Sequence, residues 1–183
     1  MKNLYLVGGP MGVGKTTVCR AFQKMTDKSV FLDGDWCWDA NPFTVTEETK
    51  AMVLDNICHL LGNFIKCSQY GNIIFSWVMH DGEIINTILS RLDLSECRVF
   101  SVSLICEKEE LFRRLQRDVN AGVRTEDVIS RSLERLPLYE KLRTEKLAFQ
   151  FILRDGRSHS GRCRQSPVCS EYLPIRSLPA GRL

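Results

Sequence analysis

Short apolar runs alternate, up to residue 153, with segments in which apolar residues recur every three or four positions. The runs predict strands at Leu4–Val7, Val30–Leu32, Asn72–Val78, Arg98–Ile105 and Ala148–Leu153. The recurring positions predict helices at Thr16–Met25, Ile84–Leu92, Glu107–Val119, Thr125–Leu136 and Tyr139–Leu142. A further helix is predicted to begin at a capping box, Thr44-Val45-Thr46-Glu47, and to end at about Lys66. Because strands that alternate with helices are typical of crossover connections, we expect an α/β domain with three α/β/α layers and a five-stranded parallel sheet.

A glycine-rich loop joins the first predicted strand to the first predicted helix. Its sequence matches G-x-x-x-x-G-K-[ST], the loop whose backbone N–H groups cradle nucleotide phosphates. Strand, loop and helix in this order direct a helix N-terminus at an anion, which disfavours a chance match. We expect Lys15 near the β- and γ-phosphates of ATP and the Thr16 hydroxyl on Mg²⁺. The residues expected to bind ATP are Gly9, Met11, Gly12, Val13, Gly14, Lys15, Thr16 and Thr17.

The net charge of +3 at pH 7 is unevenly distributed. From Arg154 to the C-terminus, six arginines stand against two acidic residues, so the rest of the chain is close to neutral. A near-neutral body has no broad basic surface for nucleic acid, and no apolar run approaches the length of a membrane span. The eight cysteines include no C-x-x-C pair and no signal peptide is visible. We therefore expect a reduced, cytoplasmic setting without nucleic-acid or membrane partners.

Residues 154–183 differ in composition from the segment before them. Serine, arginine, proline and glycine dominate, and no apolar periodicity is visible. We expect a basic tail that is disordered or atypical, after a single domain at residues 1–153. The alternative is a basic arm that contacts RNA or a membrane, although the segment has no lysine and few aromatic residues.

Two carboxylates, Asp33 and Asp35, follow the second predicted strand with Gly34 between them. In an extended segment, residues two apart point to the same side, and the carboxyl ends of parallel strands face the ligand crevice. One carboxylate could then hold a Mg²⁺-bound water while the other accepts a proton from an attacking hydroxyl. The alternative is an ordinary Asp-Gly turn.

Three segments together resemble shikimate kinases: the loop Gly9–Thr17, the sequence Asp33-Gly34-Asp35, and the segment Arg135-Leu136-Pro137-Leu138-Tyr139. The resemblance extends from Met1 to about Lys146 and implies a P-loop kinase fold with a helical lid at about residues 117–126. It also implies that Asp33 lies near Mg²⁺, that Asp35 contacts the substrate hydroxyl as the base, and that Arg135 binds a substrate anion.

The segment Ser76–Gly82 stands where shikimate kinases have a glycine-rich substrate segment, and Ser76 stands where a Walker B aspartate is expected. The first departure favours the wider group of shikimate kinase-like and nucleoside monophosphate kinase-like proteins over any one member. The second favours Asp33 as the acidic group near the metal ion.

Arginines flank the predicted break at Asn120-Ala121-Gly122. In the resembled kinases this region is a lid that closes over ATP, which implies that Arg117 and Arg124 stabilise charge on the transferring phosphoryl group. The alternative, favoured most for Arg113, is a solvated helix face in which arginines pair with Glu109, Glu110 and Asp118. Beyond the lid, Trp36 and His80 are candidates for the acceptor pocket, although packing would explain Trp36 as well.

The sequence therefore predicts an ATP-dependent phosphotransferase, a monomer or weak dimer, that phosphorylates a hydroxyl of a small molecule. The catalytic candidates are Lys15, Asp33, Asp35, Arg117 and Arg124, the metal ligands are Thr16 and Asp33, and the substrate-binding candidates are Asp35, Trp36, His80 and Arg135. One alternative is a nucleotide kinase of the same fold. Another is an ATP-binding switch or assembly protein with no acceptor substrate.

Overall fold

The computed structural model describes residues 1–142 and the backbone of residues 150–154. Five strands and five α-helices follow one another in the order β1 (Lys2–Gly8), α1 (Lys15–Met25), β2 (Ser29–Asp33), α2 (Glu47–Lys66), β3 (Asn72–Ser76), α3 (Gly82–Ser90), β4 (Cys97–Ile105), α4 (Lys108–Asn120), α5 (Asp127–Lys141) and β5 (Gln150–Arg154). A 3₁₀ helix at Gly34–Trp38 directly follows β2.

All strands run parallel, in the order β2-β3-β1-β4-β5. The register pairs Val7 with Ser76 and Asp33 with Ser76, so β1, β2 and β3 end at the same edge of the sheet. This edge holds the glycine-rich loop and the first of the two carboxylates. The five-stranded parallel sheet predicted from the apolar runs is confirmed.

Side chains alternate between the two faces of β1, which places a helical layer on each. Tyr5 and Val7 join one core with α1, α4 and α5, in which Leu111, Leu115 and Tyr139 are almost completely buried. Leu4 and Leu6 join a second core with α2 and α3. Each fully buried Leu or Ile stabilises the fold by about 1.5–3 kcal/mol relative to exposure. The three-layer α/β/α prediction is therefore confirmed.

Helix α5 contradicts the predicted break after Leu136. It runs through Pro137 to Lys141, although proline removes one helical hydrogen bond. Leu136 and Tyr139 are both buried in the core, so packing on either side of Pro137 holds the helix together. The Tyr139 ring also comes within 3.3 Å of the position that a Cβ on Gly8 would occupy, so α5 supports the start of the glycine-rich loop.

The boundaries of α2 and β3 differ from the sequence predictions. The capping box of α2 is formed by Thr46 and Thr49, because the hydroxyl of each accepts from the other's backbone N–H; Thr44 is not its N-cap. Strand β3 ends at Ser76 and not at Val78. The predicted start of the fifth strand, Ala148, lies outside the described residues, which resume at Gln150. The predicted tail, apart from Arg154 in β5, lies outside the described residues. In the described part of the chain, no helix is long and apolar enough to cross a membrane.

Candidate active site

Gly12 and Gly14, in the loop between β1 and α1, stand at positions that need glycine. Gly12 has φ +80° and Gly14 has φ +102°, the left-handed region that other residues avoid. Gly12 also packs against α4, since an added Cβ would lie 2.6 Å from Leu115 Cδ2. Gly14 caps α1 without a side-chain hydrogen bond, and the first turn of α1 contains no acidic residue. The N–H groups of this turn therefore offer a partial positive charge to an anion.

Lys15 is held by the loop itself. Its Nζ donates to the carbonyl oxygens of Gly9 at 3.0 Å and Pro10 at 3.1 Å. Burial lowers the pKa of Lys15 to about 8, although the nearby carboxylates of Asp35 and Asp33 act in the opposite direction. The Lys15 ammonium is thus poorly solvated, and an anion in the loop would favour its charged form.

The two carboxylates after β2 have different surroundings. Asp33 is buried, and its Oδ2 accepts a hydrogen bond from the Thr16 hydroxyl at 2.8 Å. Its Oδ1 accepts from the Asp35 N–H at 3.3 Å and caps the 3₁₀ helix. Asp35 is accessible to solvent, yet the surrounding protein raises its pKa by desolvation, and repulsion by Asp33 adds to the effect. Lys15 and Arg124 partly offset this rise.

A cleft of about 470 Å³ lies over the glycine-rich loop, and Lys15, Asp33 and Asp35 line it together. All the ATP-binding and catalytic candidates except Gly9 line this cleft. Gly9 contributes through its carbonyl oxygen, which accepts the hydrogen bond from Lys15. The lining residues are Met11, Gly12, Val13, Gly14, Lys15, Thr16, Thr17, Val18, Asp33, Asp35, Glu110, Arg113, Arg114, Arg117, Asp118 and Arg124.

Two acidic side chains of α4 pair with the arginines opposite the loop. Glu110 accepts from Arg113 at 2.8 Å and from Arg114 at 2.7 Å, and these hydrogen bonds lower its pKa to about 2. Asp118 accepts from Arg124 Nε at 3.2 Å, and Arg117 Nε lies 3.9 Å from its other oxygen. The expected pairing of Arg113 with Glu110 is confirmed.

Three substrate-binding candidates lie outside the walls of this cleft. Trp36 is 54% exposed and packs edge-on against Phe31, with the Arg20 guanidinium 5.2 Å from its ring centre. His80 and Arg135 are close enough that, after burial, the charge of Arg135 is the main cause that lowers the pKa of His80. Within residues 1–142, the buried His80 Nδ1 has no hydrogen-bond partner.

Residues 6–135 match the model of a family described as AAA domain. The chain belongs to this AAA domain family. Since the match covers more than half of the chain and includes the loop, both carboxylates and α4, the site described above lies almost wholly within the family's domain. No curated protein matches the chain in sequence.

Solved structures similar to this AAA domain include kinases of small molecules. A gluconokinase from Sinorhizobium meliloti is 16% identical, with a TM-score of 0.62 over 85% of this chain and 84% of that one. A sugar kinase from Janibacter sp. is 13% identical, with a TM-score of 0.64 over 84% and 86%. A shikimate kinase from Acinetobacter baumannii, solved with shikimate, is 20% identical, with a TM-score of 0.51 over 86% of each chain. At these identities the likeness confirms the P-loop kinase fold.

The oxygen atoms at the edge of the sheet are suited to Mg²⁺. Among the described residues, no three His, Cys, Asp or Glu side chains form a metal-binding group. Mg²⁺ does not require one, because it keeps several waters and binds through one or two carboxylates and substrate phosphates. The Thr16 hydroxyl and the Asp33 carboxylate, 2.8 Å apart, are oxygen groups of the kind that could hold such an ion. Ser76, which pairs with Asp33 in the sheet register, is fully buried and offers no charge.

Sequence reasoning missed one arginine of this AAA domain. Arg114 is only 17% exposed, and its Nη1 donates to the Val13 carbonyl oxygen of the loop at 3.2 Å. The available signal was its position on α4: it precedes Leu115 and follows Leu111 by three residues, so it borders the buried face. Arg113, on the outer side, is 64% exposed.

Proposed function

We propose that the chain is an ATP-dependent phosphotransferase that moves the γ-phosphoryl group of Mg-ATP to a hydroxyl of a small-molecule acceptor. The observation that supports this proposal most is that the two neighbouring carboxylates have different surroundings. Asp33 is buried and bonded to Thr16, whereas Asp35 is accessible from the cleft and close to Lys15 and Arg124. A protein that only bound ATP would have no evident use for the second carboxylate.

The loop and α1 would hold the triphosphate. Backbone N–H groups of Gly12 and Gly14 and the first turn of α1 would bind phosphate oxygens, and the Lys15 ammonium would exchange its two carbonyl partners for them. When bound, Mg²⁺ would neutralise phosphate charge, and Thr16 and Asp33 are the residues that would hold it. The negative charge of the phosphates would favour the charged form of Lys15 and so oppose the effect of burial, which lowers its pKa in the free protein.

Asp35 would act as the base. Its carboxylate would accept the proton of the acceptor hydroxyl, the hydroxyl oxygen would form a bond to the γ-phosphorus, and the bond from phosphorus to the β–γ bridging oxygen would break to release ADP. A carboxylate whose pKa is raised toward the working pH is a better proton acceptor than an ordinary aspartate. Arg124 and Arg117, across the cleft, would stabilise negative charge on the transferring group.

The acceptor would bind on the side of Asp35 away from α4. His80, just after β3, and Arg135, on α5, lie close together, and Arg135 has no ion pair within the described part of the chain. Two neighbouring cationic or polar groups of this kind would bind a carboxylate or phosphate. We therefore propose that the acceptor is a hydroxylated small molecule with an acidic group, with Trp36 at the rim of its site.

Product analysis across matched acceptors tests this function. The full chain is incubated with Mg-ATP and pairs of hydroxylated compounds that differ by an acidic group, such as gluconate and glucose, or a nucleoside monophosphate and its nucleoside. We expect ADP release with at least one acidic member, together with a product heavier by one phosphoryl group. Slow ADP release that no acceptor changes would contradict a phosphotransferase and favour an ATP-binding switch.

A further inference from the structure

Trp77 lies against the glycine between the two carboxylates. A Cβ on Gly34 would be 2.5 Å from Trp77 Cγ, 2.6 Å from Cδ1 and 3.0 Å from Cβ, and the first two distances are too short for any Cβ unless the ring moves. Gly34 does not have the left-handed φ of Gly12 and Gly14. The glycine of the Asp-Gly-Asp sequence is therefore required by the close approach of the Trp77 ring and not by a turn.

Contacts of both its backbone and its ring hold Trp77 in position. Its backbone N–H donates to the Val7 carbonyl oxygen at 3.2 Å, directly before the glycine-rich loop. The preceding residue, Ser76, is paired in the sheet register with Asp33. The ring itself packs against the core that α2 and α3 form on the sheet. An aromatic ring with only two side-chain torsions loses little entropy when it is held in this way.

The indole of Trp77 also reaches the candidate base. The Trp77 side chain lies near enough to the Asp35 carboxylate to act on its pKa, where it favours the charged form as the smallest of the causes. Trp77 is the uncharged group among those that act on Asp35, whereas Asp33, Lys15 and Arg124 act through their charge. Because Gly34 directly precedes Asp35 in the chain, the ring that packs on Gly34 also holds the backbone that carries this carboxylate.

We propose that Trp77 is a positioning residue for Asp35: its ring, seated against Gly34, holds the carboxylate at the angle from which it meets the acceptor hydroxyl. The inference rests on the proposed function for its kinetic consequence, but the contact itself does not. It makes Gly34 and Trp77 a coupled pair, so that any side chain at residue 34 would displace the ring.

The contact is tested first without any substrate. The full chain contains three tryptophans, and in ¹⁵N-labelled protein at one fixed pH the Trp77 indole N–H resonance is the one lost in Trp77→Phe. We expect this resonance to move upfield in Asp35→Asn, because the negative charge near the indole is removed, and to move in Gly34→Ala, because a Cβ there would displace the ring. The control Asp39→Asn, at an exposed carboxylate four residues along the chain, should leave it in place. An unchanged resonance in both Asp35→Asn and Gly34→Ala would overturn the proposal.

Kinetics then separate positioning from packing. With the acceptor that supports the highest turnover, Trp77→Phe should lower kcat about 10- to 100-fold, as misplacement of a reacting group by about 1 Å does. The KM for ATP should stay within about twofold, since the phosphate loop is unchanged. Trp38→Phe, a neighbouring tryptophan that packs on Phe43, is the control and should keep its kcat.

A double-mutant cycle completes the test. Gly34→Ala and Trp77→Leu should each lower kcat, and the double variant should lose much less than the product of the two single losses. A Trp77→Phe protein with kcat within about twofold of wild type would overturn the positioning role. Absence of transfer by the wild type with every acceptor would instead contradict the proposed function, and the resonance experiment would still decide whether the contact exists.

Discussion

Two regions of the molecule, the wall that α4 forms over the cleft and the segments after β2 and β3, differ in how their polar groups are paired. On the wall, which we call the phosphate side, Glu110 pairs with Arg113 and Arg114, and Asp118 pairs with Arg124. In the segments outside the cleft, which form the acceptor side under the proposed function, His80 Nδ1 has no hydrogen-bond partner among residues 1–142, and Trp36 is largely exposed. The phosphate side thus pairs its own charges, whereas a substrate would supply partners on the proposed acceptor side.

This difference explains why the fold and the phosphate side follow from local sequence motifs, whereas the identity of the substrate does not. The geometry of the loop depends on glycines and on Lys15, and neighbouring kinases that act on different molecules have the same fold. Under the proposed function, specificity would depend on the segments after β2 and β3, which contain Trp36, Trp77 and His80. A variant on either side should therefore affect one function and spare the other.

The largest effect is expected on the phosphate side, at Lys15. Lys15→Ala should reduce phosphoryl transfer by at least about 10³-fold, because the phosphates lose a buried cation. Its melting temperature should fall by no more than a few degrees, since the lysine is poorly solvated in the free protein. Steady-state ADP release and thermal unfolding measure the two quantities.

Lys24→Ala, an exposed lysine on the same helix, is the matched control and should be active. A Lys15→Ala protein with substantial phosphoryl transfer would show that the loop is not the phosphate site. The distinction between a phosphate side and an acceptor side would then be wrong.

A smaller effect is expected at the contact between the loop and α4. Gly12→Ala should destabilise the fold by about 2–4 kcal/mol, because it combines a left-handed backbone with a Cβ that meets Leu115. Gly122→Ala has a similar φ, +69°, but open space around it, so it should cost only about 1–2 kcal/mol. Chemical denaturation measures both free energies, and equal losses would mean that the loop is not packed on α4.

The smallest effect is a pH dependence of stability at Glu110. The folded pKa of Glu110, about 2, is below the unfolded value of 4.5, so its contribution is present above pH 4.5 and is lost as the pH falls toward 2. Glu110→Gln should therefore lower the melting temperature at pH 6 and make less difference at pH 3. A difference that stays constant between these pH values would contradict the pairing of Glu110 with Arg113 and Arg114.

Features that depend on nearby residues could be predicted from the sequence. The strands follow from apolar runs, and the loop follows from a local motif with its strand and helix. The contacts that complete the site could not be predicted in this way. Arg114 and Val13 are 101 residues apart, and the contact of Trp77 with Gly34 joins two strand ends through the sheet register. The uninterrupted α5 depends on the burial of Leu136 and Tyr139 on either side of Pro137, which outweighs the local preference of proline.

The most direct test measures nucleotide binding and phosphoryl transfer in the same variant. In Asp35→Asn, we compare the Kd for ATP with the rate of acceptor-stimulated ADP release, and Asp39→Asn is the control. We expect a Kd within about threefold of wild type and a loss of stimulated release of about 10²–10⁴-fold, the usual contribution of a general base. Stimulated release at the wild-type rate would contradict Asp35 as the base, and an equal loss of ATP affinity and turnover would contradict the separation of the two sides.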